Sequence, residues 1–265
     1  MGLFKKNDEP QMVPREDGLI DYDVYIMSKG EKILNIVIAA IVIFAIGYLC
    51  YRNVILSALL ALVSLKWPKI RVKQIIAKRH RELTVQFKDM LYSLSSSLSA
   101  GKSIESGLKE SLQDLRIIYP DEETYIIQEI SYIVRGVEMN ETIENMFSQF
   151  AERAHNEDID NFVDIFRTCK RTGGDMIQVI RSTSQTIGEK IETKQEIETM
   201  ISGKKFEFKA LMIMPVFLIL ILSVSSADYM APVFETVIGH AVMTVAIVMF
   251  AIAYLVGDKI MSIEV

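Results

Sequence analysis

The sequence predicts an all-α integral membrane protein, with four transmembrane helices and a cytoplasmic six-helix antiparallel bundle. Three observations lead there. Half of the 265 residues are apolar, and they concentrate at 33–65 and 210–257. The block between, 69–209, is charged and holds a single proline, Pro120. Within that block apolar residues recur at the helical spacing of 3 and 4, with no competing alternation of the kind strands need.

Residues 1–30 form a polar cytoplasmic tail with Pro10, Pro14 and many carboxylates, expected to be disordered to about Asp21. Tyr22 to Met27 are expected to form a short interfacial helix. No secretory signal is expected, because the first apolar run starts behind this tail and ends in Tyr48-Leu49-Cys50-Tyr51-Arg52 rather than at small residues.

The first hairpin, 31–68, is expected to place spans at about 33–51 and 53–67. Read as one helix, 33–65 would be ~50 Å long at ~1.5 Å per residue, too long for a ~30 Å hydrocarbon core. A turn at Arg52-Asn53 is therefore expected, with Arg52 and Lys66 snorkelling and Trp67 at the interface. The second leg, short for a span, leaves a re-entrant reading open.

The bundle, 69–209, shows six apolar stripes. Leu83, Phe87, Met90, Leu91, Leu94 and Leu98 make the first, ended by Gly101. Ile104, Leu108, Leu112 and Leu115 make the second, capped by Ser103. The third carries Ile126, Ile127, Ile130, Ile133, Val134 and Val137 behind Pro120-Asp121. After Gly136 and the cap candidate Asn140 comes the fourth, with Ile143, Met146, Phe147, Phe150 and Ala154. The fifth holds Ile159, Phe162, Val163 and Phe166, capped by Asp158 and stopped at Gly173-Gly174. The sixth starts at Asp175 with Met176, Val179, Ile180, Thr183 and Ile187. Short connections make the helices antiparallel neighbours.

The second hairpin, 210–257, has spans at about 210–227 and 236–257 around an eight-residue loop. Pro215 removes a backbone donor and predicts a membrane kink. His240 falls at the outer end of the fourth span, where an interfacial role is expected. Residues 258–265 are a second cytoplasmic tail. Seven basic residues and no acid lie between Lys66 and Arg81, and Lys204, Lys205 and Lys209 precede the third span. The outer turns hold only Arg52, so both termini and the bundle are expected in the cytoplasm.

Composition excludes several functions. A net charge of −5 argues against nucleic acid as a partner. Cys50 and Cys169 make neither a disulfide framework nor a metal set, and the three histidines are scattered. Ala100-Gly101-Lys102-Ser103 resembles the end of a phosphate-binding loop, but Ser96 stands where that motif needs glycine, and a helix stands where it needs a strand. Asp158, Asp160 and Asp164 lack the glycine and closing glutamate of a calcium loop. Asp228 and Asp258 would lie on opposite sides of the membrane. No catalytic residue, cofactor or metal is expected, and the chain is not expected to be an enzyme.

The runs LYSLSSSLSAGKSIESGLKESL and RGVEMNETIENMFSQFAERAHNEDIDNFVDIFRTCKRTGGDMIQVI, followed by a long charged helix into LMIMP, resemble the type II secretion F domain over about 69–226. That family comprises GspF- and PilC-like inner-membrane platform proteins of type II secretion systems and type IV pili. The pieces that carry the resemblance are Ala100-Gly101 with Ser103, Gly136 with the following Ala151-Glu152-Arg153, Gly173-Gly174 and Pro215, with Gly101, Ser103, Gly136, Gly173 and Gly174 as helix caps. One F domain between two hairpins is similar to TadB and TadC of the tight-adherence (Flp) pilus, and the tail YDVYIMSKGEKIL looks more like TadB.

The resemblance implies a non-catalytic bacterial inner-membrane hub that couples a cytoplasmic secretion ATPase to pilin assembly or protein secretion. Implied partners are that ATPase, pilin subunits, membrane lipid, and a TadC-like second F-domain subunit or another copy of the chain. The alternative reading is a membrane scaffold or signalling protein. A transporter should show more polar or broken segments at bilayer depth than Pro215 and His240 provide. A sensor should have a sizeable outer domain. Between Asp121 and Asp164 twelve acids face two arginines, and Glu141, Glu144, Asp160 and Asp164 lie off the apolar stripes. They are the candidate contact for a basic face of the ATPase.

Overall fold

The computed structural model describes residues 18–261. Residues 1–17, where most of the expected disorder falls, and the tail end 262–265 lie outside them; residues 18–21, also expected to be disordered, are instead ordered, with Leu19 and Ile20 buried. Ten α-helices follow one another: α1 Lys29–Tyr51, α2 Val54–Ala61, α3 Trp67–Ser99, α4 Ile104–Ile118, α5 Tyr125–Glu138, α6 Ile143–Ala154, α7 Glu157–Thr172, α8 Met176–Ser225, α9 Ala227–Glu235 and α10 Val237–Met261. A 3-10 turn, Leu62–Lys66, joins α2 to α3. Among the described residues there is no strand. The chain divides into two compact units, one of residues 71–193 with the segment ending at Ser28, the other of residues 29–70 and 194 onwards.

The first unit is the bundle, and its core is the six stripes. Leu83, Phe87, Met90, Leu91 and Leu94 on α3 are fully buried, as are Ile126, Ile130 and Ile133 on α5, Phe147 and Phe150 on α6, and Ile159, Phe162 and Phe166 on α7. The phenylalanines interlock edge to face: Phe87 and Phe162 centroids are 5.4 Å apart, and Phe147 lies 5.1 Å from Phe166. Such pairs add to plain area burial.

The helix ends follow local chemistry. Gly101 and Gly173 have φ of +84° and +73°, a conformation that suits a residue without Cβ, and each ends its helix. Ser103 caps α4 by accepting from Ser106 N–H. Two expected caps move. α6 is capped by Thr142 rather than Asn140, whose left-handed backbone (φ +69°) instead follows the end of α5. α7 is capped by Asn156, whose side chain accepts from Asp158 and Ile159 N–H, so Asp158 is already in the first turn. Gly136 is not a cap either. It lies inside α5, where a Cβ would come 2.5 Å from Met146 Sδ, and its bare backbone lets α6 approach. Gly174 serves the Cys169 sulfur in the same way, at 2.9 Å. Pro120-Asp121 forms a turn before α5, which opens at Tyr125 behind Thr124.

The helices α1, α8 and α10 are long and apolar enough to cross a membrane, and of α8 the residues from 194 onwards belong to the second unit. The segment 53–67, expected as the second span, is shorter in helix than the other three. It is an eight-residue helix capped by Asn53 and followed by the 3-10 turn. Twelve uncharged residues reach ~18 Å as a helix, short of the hydrocarbon core. α2 packs closely on α1, where a Cβ on Gly47 would come 3.2 Å from Ser57 Cα. The turn at Arg52-Asn53 is where the sequence puts it, with Arg52 at φ +48°. The expected loop before the last span is largely helix α9. α8 runs on through Pro215. His240 stands in the first turn of α10 with its ring stacked 6.1 Å from Tyr51, the last residue of α1.

The expected interfacial helix at 22–27 is absent. Residues 19–25 form an irregular strap on the bundle, with Leu19, Ile20 and Tyr22 buried.

Candidate functional site

Among the described residues no group of His, Cys, Asp and Glu could hold a metal ion. What the bundle offers instead is a set of charged surfaces and one buried charge cluster.

The four acids named from sequence sit on α6 and α7 or just before them, in differing states. Glu141 precedes α6, is exposed and accepts from the Asn145 amide at 3.1 Å. Glu144 is half-buried and ion-paired with Lys170 at 2.8 Å. Burial raises its pKa, but the Lys170 hydrogen bond and charge, with Arg167 nearby, outweigh that and hold it below the usual range. Asp160 and Asp164 lie one turn apart on exposed α7. Partial desolvation and then the Asp164 charge raise the Asp160 carboxyl. The neighbouring Asp158 is paired with Lys190 at 2.9 Å. So of the four only Glu144 is paired with a lysine, while Glu141, Asp160 and Asp164 are exposed, and Asp164 borders a groove between α7 and α8 with Thr168, Thr172, Asp175 and Gln178 along it.

Of the buried cluster, the sequence singles out Arg153 only as part of the Ala151-Glu152-Arg153 run, and it does not single out Glu129. Glu129 on α5 and Arg153 on α6 are 0% and 1% exposed. Arg153 Nε and Nη2 donate to the two Glu129 carboxylate oxygens at 3.2 and 2.5 Å, a bidentate pair. The Arg153 guanidinium also stands over the Tyr132 ring. Tyr22 of the strap donates its phenol to Glu129 Oε1 at 3.2 Å, and its backbone N–H donates to the Arg153 carbonyl. Burial, then the Glu129 charge, push the phenol well above its ordinary value. A signal existed: Glu129 falls on the stripe of Ile126 and Ile133, and Arg153 on that of Met146 and Phe150. Opposite charges on the apolar faces of consecutive helices mark a buried pair.

Beside the strap, Asp21 meets His155 at 3.1 Å. His80 Nε2 is enclosed with no hydrogen-bond partner. Burial holds the His80 pKa below its ordinary 6.5, Asp23 and Asp21 opposing and His155 assisting. Since the depressed value belongs to the folded state, unfolding takes up a proton. The neutral ring's contribution is full above pH 6.5 and lost as pH falls from there toward the folded value. Melting temperature should therefore drop between pH 7 and 5.5, and drop less in His80→Phe. Parallel curves for the two proteins would remove His80 from the account.

A family model described as Type II secretion system (T2SS), protein F, matches residues 90–224, more than half of the chain. The chain belongs to the type II secretion system protein F family. The match runs from within α3 almost to the end of α8, taking in Phe147, Phe150, Phe162 and Phe166 of the core, the glycines at 101, 136, 173 and 174, the Glu129–Arg153 pair and Pro215; Phe87 lies just before it. No curated protein and no solved structure matches. As an F-family protein with span-capable helices, it is a membrane protein of the platform type used in type II secretion and type IV pilus machines. The strap at 19–25 lies before the matched residues.

Proposed function

We propose that this F-family protein is the inner-membrane platform of a tight-adherence (Flp) type pilus or a related secretion machine, coupling a cytoplasmic secretion ATPase to pilin assembly. The observation that carries the reading is an F-type helical bundle placed in sequence between apolar membrane segments with lysines and arginines on the bundle side. The bundle and both termini face the cytoplasm by the positive-inside rule. The short leg 54–66 returns the chain to the cytoplasmic side as the second of four membrane passages. TadB-like character rests on the single F domain between two hairpins and on the tail before α1. The ATPase contact is assigned to Glu141, just before α6, and to Glu144, Asp160 and Asp164 on α6 and α7, with exposed Asp160 and Asp164, one turn apart, at its centre. A TadC-like subunit or further copies complete the platform.

Orientation is testable in intact cells. With Cys50 and Cys169 replaced by alanine, Glu235→Cys should react with an impermeant thiol reagent and Glu152→Cys should not; both positions are exposed. Labelling of Glu152→Cys, or of neither after permeabilisation, would contradict the layout. Deleting the chain should abolish filaments or secretion without affecting ATPase abundance.

A further inference from the structure

The strap has the chemistry of a peptide seated in a receptor. Its residues Leu19 to Tyr25 form no helix, and several groups of residues 71–193 hold them. Tyr22 N–H donates to the Arg153 carbonyl at 3.1 Å, and the Tyr22 phenol donates to Glu129 at 3.2 Å. The Tyr22 ring meets Tyr125 edge to face at 5.4 Å. Asp21 pairs with His155, and Arg79 donates to the Val24 carbonyl at 3.3 Å while its guanidinium lies 4.7 Å over Tyr25.

This receptor is preformed. Glu129 and Arg153 satisfy each other through two hydrogen bonds of their own, so the carboxylate that accepts the phenol stays positioned when the strap leaves. The strap is also the part of the unit that can leave at least cost. Three buried side chains, together with hydrogen bonds, an ion pair and ring contacts at its surface, hold seven residues, so the burial gained and the ordering entropy spent are of the same order. Segments balanced in this way open without unfolding the core beneath them.

We propose that the Glu129–Arg153 site is an interaction site between copies of this chain, binding Leu19–Tyr25 of a second copy in exchange for its own. The inference deepens the platform reading and rests on its membrane placement. Three residues, Ile26 to Ser28, separate the strap from α1, a helix long and apolar enough to cross a bilayer. Straps of neighbouring copies therefore emerge at one depth of one membrane, which raises their effective concentration at each other's sites. Each copy carries an occupant already matched to the pocket, so exchange needs no new surface and closes as a symmetric swap.

The experiment uses two tagged full-length chains in membranes, both with Cys50→Ala and Cys169→Ala. One carries Asp21→Cys and the other His155→Cys, the two residues in contact at 3.1 Å. Mild oxidation should give a covalent dimer bearing both tags, and adding Tyr22→Ala to the Asp21→Cys chain should reduce it to background. A chain carrying both cysteines reports docking within one copy. If that chain cross-links internally while the mixed pair gives no two-tag dimer, the strap serves its own bundle only and the proposal fails. A dimer unaffected by Tyr22→Ala also overturns it, as does the absence of any cross-link in either format. None of these readouts involves the ATPase or filaments, so a negative result leaves the platform reading standing.

Discussion

Replacing Arg153 with methionine should destabilise the bundle by about 3–5 kcal/mol, because it leaves the Glu129 carboxylate buried without its counter-charge. Glu129→Leu should cost about as much for the mirrored reason. Both groups are essentially inaccessible to water, so solvent cannot replace the lost partner. The paired change Glu129→Leu with Arg153→Met should recover most of the loss, since a buried ion pair exchanged for apolar groups of similar volume is often neutral. Full recovery should need Tyr22→Phe as well, because the phenol loses its acceptor, a loss of about 1–3 kcal/mol for an unsatisfied buried donor. Chemical denaturation of the full chain in detergent, followed by helical signal, measures all four. A single variant as stable as the parent would mean that the pair is not buried.

The second large effect is in the aromatic core. Phe147→Ala and Phe162→Ala should each cost about 3–5 kcal/mol, the range for truncating a buried phenylalanine. Both are completely buried, and their centroids are 5.5 Å apart. Because they touch, the double variant should lose less than the sum, with a coupling of about 0.5–3 kcal/mol. Losses below about 1 kcal/mol at both sites would place the wrong faces of α6 and α7 inside.

These two predictions differ in how visible their residues are in sequence. Phe147 and Phe162 stand on stripes of period 3.6, and for helices that must bury one face the period alone points to the core. The same rule, applied to charges instead of apolar residues, exposes Glu129 and Arg153; counting them with the surface charges hides them. Helix ends are less visible. Between α6 and α7 the sequence reads His-Asn-Glu-Asp, with two good capping side chains, and His155 turns the chain at φ +45° with no glycine to mark the place. The strap is the least visible of all. Leu19, Ile20 and Tyr22 alternate with aspartates in a tail with no helical stripe, and their burial depends on a pocket built by residues more than a hundred positions later. In the membrane unit, hydropathy marks α1 and α10 well but not the fate of 54–65, because twelve uncharged residues can return, re-enter or pack on a neighbour.

The acidic surface is similarly part legible. Glu141, Glu144, Asp160 and Asp164 all lie off the core, as their spacing implies, but sequence spacing does not show that Lys170 neutralises Glu144. The platform account therefore turns on whether the remaining charge engages the ATPase. The most direct measurement is retention of the secretion ATPase on membranes carrying the parent chain or the quadruple variant Glu141→Lys, Glu144→Lys, Asp160→Lys and Asp164→Lys, over a range of salt. The parent should retain the ATPase at low salt and lose it as salt rises, because exposed charges are screened over ~10 Å at 0.1 M. The variant should insert and melt normally, fail to retain the ATPase even at low salt, and assemble no filament. Normal retention and normal assembly by the folded variant would contradict the coupling role given to this face of the bundle.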